Sequence, residues 1–443
     1  SLGVSGLADS GPVRLPADHP MLPSSFASLR LSRWVVLGLM ASVPAGWGAQ
    51  SPEPPNWPRF RGPNGSGVGT GDIPAQWAEA NRLWKIKLPG VGHGSPVVWG
   101  DRVFLLCGRQ DGAERVPLCV DAATGRVLWT APQGVAYRKG HKFNSPASST
   151  PAVDAERVYF SWSSPEKVFV AAFTHEGVPV WTADLGALHR AHGFASSPIL
   201  FEDLVILSND QEEDSALFAL DRRTGKVRWK LPRTENHSNY STPCLYTPPG
   251  GAPQIIVSSW KLGVTGVVAA TGKQLWQVGV FQQQKAERAV GSPIATGELV
   301  IANCAFVNGP KHVVALRPGP DGTMKEVWRL EKTVPHIPSV IAVGERAYLW
   351  SDQGIVTCVQ LADGKVLWQE RAGRDTFGSP VAVNGKLFSV DKSGTVTVLA
   401  VGDRFEILGK NELGELCQST PAVAGGRMFI RTWEHLHAIG GAK

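Results

Sequence analysis

Short apolar stretches recur along the chain, each about the length of one strand and each bounded by Gly, Pro, Asp or Asn. They read "RVFLLC" (102–107), "RVYFSW" (157–162), "LVILSN" (204–209), "QIIVSS" (254–259), "LVIANC" (299–304), "RAYLWS" (346–351), "KLFSVD" (386–391) and "RMFIRT" (427–432). Near-continuous or alternating apolar runs of this length predict strands covered on both faces. No stretch carries the period of a long amphipathic helix. The 49 glycines and 33 prolines favour many turns. The predicted class is all-β.

The strands belong to a repeat. A Pro preceded by Ser or Ser-Thr opens each unit: "SPVV" at Pro96, "STPAV" at Pro151, "SSPIL" at Pro198, "STPCL" at Pro243, "SPIA" at Pro293, "SPVAV" at Pro380 and "STPAV" at Pro421. A degenerate copy, "IPSVIAV", sits at Pro338, making eight starts. Trp129, Trp181, Trp229, Trp276, Trp328 and Trp368 close six units, and Leu408 takes the Trp position in the seventh. The eighth unit ends near Gly440, too early for its own closing Trp. The missing piece is "NRLWKIKLP", with Trp84, ahead of the first anchor. The N-terminal strand is therefore expected to pair into the last unit and close a ring. The anchors lie roughly 40 to 55 residues apart, the size of a four-stranded propeller blade. The expectation is an eight-bladed β-propeller over 81–440.

Within a unit the third strand runs into a turn, as in "CVDAATGRVLW" (119–129) and "ALDRRTGKVRW" (219–229). Gly supplies the positive φ of a tight hairpin. Asp121 and Asp221 can cap the turn's amides. A closing Trp at the outer end of each blade acts as a wedge against the neighbouring blade, its indole N–H wanting a partner.

The segment ahead of the repeats has a different character. Arg30 and Arg33 precede an apolar run from Trp34 to Val43, followed by Pro44 and Ala45. That is the layout of a secretory signal peptide, 21–49. Spanning a bilayer takes about 20 apolar residues, more than this run has, although an uncleaved membrane anchor is the competing reading. Residues 1–20 read as an upstream extension and 50–80 as a Pro/Gly-rich leader. No Cys follows the apolar run to carry a lipid. The net charge of +6 is spread without a Lys/Arg run or aromatic–basic interleaving, which argues against a nucleic-acid surface. The six cysteines include no C-x-x-C pair. Cys107 and Cys119 are either a disulfide across a hairpin or small buried hydrophobes.

Asp-x-x-Thr-Gly-x-x-x-Trp repeated around a ring of eight resembles the tryptophan-docking motif of the PQQ-like (quinoprotein dehydrogenase-like) propellers, a family that includes the BamB-type outer-membrane assembly propellers. The resemblance spans about Asn81 to Gly440. Only the units at Asp121 and Asp221 keep the full motif; Val268 and Gln360 replace the Asp in two others. Family enzymes hold the quinone PQQ with calcium in the central pore. This chain has no adjacent cysteines, and no residue matches the family's calcium-ligand carboxylates or catalytic aspartate. The resemblance implies the fold, not an activity. Other catalytic signatures, H-E-x-x-H and G-x-S-x-G, are absent, and the S-x-x-K match at Ser164–Lys167 lacks its companion motifs.

In a propeller the loops leading into the inner strands share one face. Here they carry His93, His141 with Asn144, His189 with His192, His237 with Asn239 and Tyr240, Lys285 with Arg288, His336, and Arg374 with Asp375. Six of the 11 histidines fall in these loops. A polar, His-rich funnel mouth is a candidate site for a small ligand, an ion or a protein. The plainer reading is that such loops need polar residues for their own backbone. The acidic "NDQEEDS" (209–215) is expected on the same face as a solvated hairpin tip. The function the sequence points to is an exported, non-catalytic, monomeric scaffold with a protein partner in the cell envelope and no resident cofactor. The alternative is a PQQ- and metal-dependent alcohol or sugar oxidoreductase.

One stretch, "FRGPNGSGVGTG" (60–71), imitates a phosphate-binding loop. No buried strand precedes it and no helix follows. It reads instead as a turn at Asn64-Gly65 in the leader, with Trp57 and Phe60 tacking it onto the propeller.

Overall fold

The computed structural model describes residues 56–135, 141–189, 192–235, 237–281, 288–306, 309–319 and 322–441. They form eight antiparallel sheets arranged as the blades of a propeller. The first blade is typical: Val97–Trp99, Arg102–Gly108, Glu114–Asp121 and Val127–Thr130, hydrogen-bonded in that order. The last blade joins the two ends of the chain. Arg82–Lys87 pairs antiparallel with His435–Gly440, whose own neighbours are Arg427–Arg431 and Ala422–Ala424. The upstream extension and the signal peptide lie outside the described residues.

The Ser-Pro anchors have a physical reason. The residue before the inner strand donates its amide N–H to the hydroxyl at the same position in the next blade. The series runs from Ser95 to Thr150 and Thr150 to Ser197. It continues from Thr242 to Ser292, Ser292 to Ser339, Ser339 to Ser379, Ser379 to Thr420 and Thr420 to Ser95. All seven bonds are 2.9 or 3.0 Å long, and the residues are buried. The inner strands diverge too far to pair with one another, and Pro removes one donor beside each hydroxyl. Only a short hydroxyl side chain fits this gap and satisfies the buried amide.

The outer rim is held by tryptophan. Each third–fourth strand ladder shifts register by one residue; in the first blade Cys119 pairs Trp129 and Val120 pairs Val127. The bulge turns the indole toward the next blade. Trp84, Trp129, Trp181, Trp328 and Trp368 donate their Nε1–H to carbonyls of Ala122, His175, Arg222, Leu361 and Gly402 in the following blade, at 2.7–3.2 Å. The turn glycine ahead of the docking strand has a second task besides its positive φ. A Cβ placed on Gly125, Gly177, Gly225, Gly272 or Gly364 would lie within 2.6–2.8 Å of Trp84, Trp129, Trp181, Trp229 or Trp328. Glycine there lets the preceding blade's indole lie flat on backbone. Asp121 Oδ1 accepts from the amides of Ala123 and Thr124 and from the Thr124 hydroxyl, and Asp221 repeats the pattern.

Two expectations about the rim need correcting. Trp276 donates to Gln254 Oε1 of its own blade, and its indole fills the space above Gly266 of that blade. The following blade has the insertion "PGPDGT" where a Thr-Gly turn would receive it. In the seventh blade the bulge skips Leu408, so Gly409, paired with Val398, stands in the Trp position. The leader explains the glycine: Ala75 O would lie 2.3 Å from a Cβ there. Asn411 fastens the leader at this point, accepting from Trp77 N and donating to Ala75 O.

The apolar core consists of layers between blades. The layer shared by the seventh, eighth and first blades also takes in Trp57 and Ile73 of the leader. All six cysteines are buried and free. Cys107 pairs Val116 in the ladder, whereas Cys119 pairs Phe104, so the two thiols do not face each other.

Two glycine substitutions separate the glycine's two tasks. Gly344 (φ 59°) has nothing within 4 Å of a new Cβ, so Gly344→Ala is expected to cost about 1 kcal/mol of backbone strain. Gly225 (φ 71°) adds the overlap with Trp181, and Gly225→Ala is expected to cost about 2 kcal/mol more. Urea unfolding of both variants reads the difference; equal losses would show that the indole yields freely.

Candidate functional site

The centre of the ring is filled from within. The leader enters on the face opposite the histidine loops, where Asn56 Oδ1 accepts from Gly100 N in the first blade's inner turn. Trp57 then bridges Val98, and Pro58 O accepts from Val153 N. Arg59 Nη2 donates to Pro243 O at 2.5 Å and Arg61 Nη2 to Val340 O at 2.8 Å. At the 3-10 turn Pro63–Gly65, Asn64 both donates to Leu245 O and accepts from Leu245 N at 2.8 Å, imitating a strand neighbour. The chain returns as Val68–Gly69, paired parallel with Val381–Val383. Gly69 lies against Val423 of the eighth blade, and Gly71 against Gly426. The leader thus reaches six of the eight blades.

The glycines of "FRGPNGSGVGTG" make this path feasible. Gly62, Gly65, Gly67 and Gly71 have positive φ. A Cβ on Gly62 would sit 2.6 Å from the Trp57 ring, and one on Gly67 2.8 Å from Arg61 Nη2. The turn at Asn64 exists, at φ 49° and ψ 23°. Trp57 is buried as an anchor, but Arg59 and Arg61, rather than Phe60, go into the channel with it.

The opposite face is the mouth, and its loops meet across the axis. Phe143, leading into the second blade, packs edge-on against Phe377, leading into the seventh, with centroids 5.0 Å apart. Lys392 covers both rings at 5.0 and 4.8 Å. His141 and His192 lie 5.0 Å apart, and Arg288 approaches His192 Nδ1 at 3.5 Å. Asn144 holds this pair in place by donating to His192 O. His93 packs at a tilt against Trp433 and His237 against Trp260, away from that cluster. Asn239 is buried as a loop clamp, its Oδ1 accepting from the amides of Trp260 and Ala289. Asp352 accepts the amides of His336 and Ile337. Arg374 and Asp375 line a shallow depression with Lys392 and Arg371. Lys285 lies outside the described residues. Of the residues expected at the mouth, only His141, His192, Arg288 and their support Asn144 converge.

Four of the mouth imidazoles, those of His93, His141, His192 and His336, are pushed toward the neutral form. Burial, and then Arg431, pushes the His93 pKa down to about 3. Burial followed by neighbouring cations also lowers His141 and His192. Burial is the leading cause at His336, with Lys311 and Arg288 adding to it against Asp352. These rings sit beside cations more than carboxylates. No group of three His, Cys, Asp or Glu side chains able to hold a metal ion occurs among the described residues. The donor set does not fit a calcium-bound quinone.

Two features were not legible in the sequence. The acidic loop is more than a solvated tip, since Asp210 forms a buried ion pair with Arg233 at 2.7 Å. A cleft of about 360 Å³ opens beside the first three blades, lined by Ser145, Ser148, Ser161, Trp162, His189 and Glu212 among others. Its serines bond to each other, to Asn144 and to Ser196 O.

A closed ring of eight four-stranded blades, docked through tryptophan onto glycine turns, defines the chain as a PQQ-like propeller. A family model described as outer membrane protein assembly factor BamB matches residues 112–370, 311–406 and 352–439. The chain belongs to that family. It is 26% identical to outer membrane protein assembly factor BamB of Yersinia pestis over 48% of this chain and 55% of that protein. It is 21% identical to quinohemoprotein alcohol dehydrogenase of Comamonas testosteroni over 45% of this chain and 27% of the enzyme. The chain thus matches about half or less of these relatives' lengths. The structure of BamB from Moraxella catarrhalis superposes with a TM-score of 0.57 at 14% identity, covering 81% of this chain and 97% of that one. That likeness speaks for the fold.

The depressed imidazoles set a pH dependence. Burial pushes His437 to about 4, as it does His93 to about 3. The unfolded chain, with histidine near about 6.5, takes up these protons first. Stability is therefore full above about pH 6.5 and declines as the pH falls toward about 4. Replacing His93 with Gln should reduce the decline by up to about 1.4 kcal/mol per pH unit, read from urea midpoints. An unchanged slope would contradict the shift.

Proposed function

We propose that the protein is an exported, non-catalytic docking platform whose propeller rim holds a protein partner of the cell envelope. The observation that carries this reading is the filled channel. The centre of the ring, where the resemblance places a quinone, is taken by the chain's own Trp57, Arg59 and Arg61. The signal-peptide pattern of 21–49 supports export. No helix among the described residues is long and apolar enough to cross a membrane.

The rim supplies the docking chemistry. The outermost strand of each blade ends its sheet, leaving an edge to which an extended segment can add. On or just before these strands Val127, Val178, Val227, Leu275, Val366 and Ile407 are exposed, one in each of six blades. One exposed aliphatic beside each open edge gives an added strand of a partner an apolar contact next to its backbone pairing. The BamB relatives are named as assembly factors, which accords with a platform.

Two measurements test the reading. Purified protein incubated with PQQ and calcium is expected to retain no quinone absorbance after gel filtration and to show no dye-linked alcohol or sugar oxidation. Retained quinone with turnover would overturn the platform in favour of an oxidoreductase. In cells, photo-cross-linkers at Val178 and Leu275 are expected to give a discrete protein adduct, and one at the mouth residue Phe143 is not. Adducts confined to Phe143 would move the docking site to the mouth.

A further inference from the structure

The leader carries two charges into the middle of the ring. Arg61 is fully buried and Arg59 is 6% exposed. Burying a guanidinium is costly unless it is paired or all its donors are satisfied. Arg59 gives Nη2 to Pro243 O; Arg61 gives Nη2 to the carbonyls of Val340 and Ser66. The Nε of Arg59 and both Nε and Nη1 of Arg61 have no partner among the described residues. Among the described residues no carboxylate acts on either group: Arg61 feels the charge of Arg59, and both feel the Cys244 thiol. Burial pushes that thiol up to about 12, so it stays neutral and compensates nothing.

The two cations are near enough to repel. Burial, reinforced by Arg59, draws Arg61 down to about 9, and burial draws Arg59 to about 10. Both remain charged at neutral pH. The contrast within the molecule is instructive: buried Arg233 is paired with Asp210 at 2.7 Å. Among the described residues the leader's pair has no such counterion, and glycines give its guanidiniums room. Gly65 passes beside Arg59 Nη2, and Gly67 beside Arg61 Nη2.

We infer that the central channel binds one small oxyanion, a phosphate, sulfate or carboxylate group, between the guanidiniums of Arg59 and Arg61. The planar guanidinium fork matches such oxygens in geometry and charge. The anion takes up the idle donors and neutralises the repulsion. It would thereby fix the leader in the channel, coupling anion binding to closure of the ring. The inference is independent of what the rim carries.

The experiment uses the whole chain in a chloride buffer of constant ionic strength. Inorganic phosphate, sulfate and acetate are titrated separately, with binding by calorimetry and the thermal midpoint as readouts. The expected result is one oxyanion per chain and a midpoint raised by several degrees; the arm that binds most tightly identifies phosphate-like or carboxylate chemistry. Arg59→Gln is expected to weaken binding about tenfold or more, while Arg59→Lys retains part of it. Should Arg59→Gln fail to fold, tungstate soaked into wild-type crystals reads the site directly, with an anomalous peak expected within hydrogen-bonding reach of both arginines. Absence of one-to-one binding by any of the three anions, unchanged affinity in Arg59→Gln, or a tungstate peak only elsewhere overturns the inference.

Discussion

A propeller has no independent core; each sheet buries its faces only against its neighbours, so everything rests on closing the ring. Here closure depends on one strand, Arg82–Lys87, pairing with His435–Gly440. Two concentric sets of contacts then keep the blades in register. The inner set is hydroxyl to amide, at the Ser-Pro anchors. The outer set is indole on glycine, at the Thr-Gly turns. Both fill gaps where the radial geometry prevents strand from pairing with strand. Both also explain residue choices that strand propensity alone would not make: Ser or Thr where a strand begins, and Gly where a hairpin turns.

The leader is the third device, and it works at a junction where the outer set is missing. It covers Gly409, which stands where a docking tryptophan would be, and places Trp57 and Ile73 in the layer that joins the seventh, eighth and first blades. These are the blades flanking the closure strand. The inner strands present unpaired backbone to the channel, and the leader answers part of it through Asn64, Val68 and Gly69. Its glycines are steric requirements of that path. The cost is electrostatic, since two arginines are carried into a region of low polarity.

The mouth shows how far a sequence argument reaches. Placing the lead-in loops on one face follows from propeller topology, so that part was legible. Which side chains converge was not. Phe143 and Phe377 are separated by more than 200 residues, and no local pattern tells that they meet over the axis. His93 and His237 looked like site residues but pack against tryptophans, their rings tilted to the indoles. Asn144 and Asn239 turned to backbone groups, as short amides in loops commonly do. The plainer reading, that polar loop residues satisfy the loops themselves, accounts for most of the residues singled out.

By itself the sequence determined the blade count, the strand order within a blade and the need for the N-terminal strand to close the ring. Each of these is written in a periodic local pattern: Ser-Pro, apolar strand, Thr-Gly, Trp. The sequence also contained the error at Leu408, because a bulge shifts register by one residue and leaves no mark in composition. Tertiary structure alone decided the fate of the leader. Nothing in "FRGPNGSGVGTG" states that carbonyls of Pro243 and Val340, far along the chain, will receive Arg59 and Arg61. Those acceptors come together only when eight blades surround a common axis. What looked like a loop for a ligand's phosphate is the chain's own filling for its channel, with two guanidiniums held at the centre.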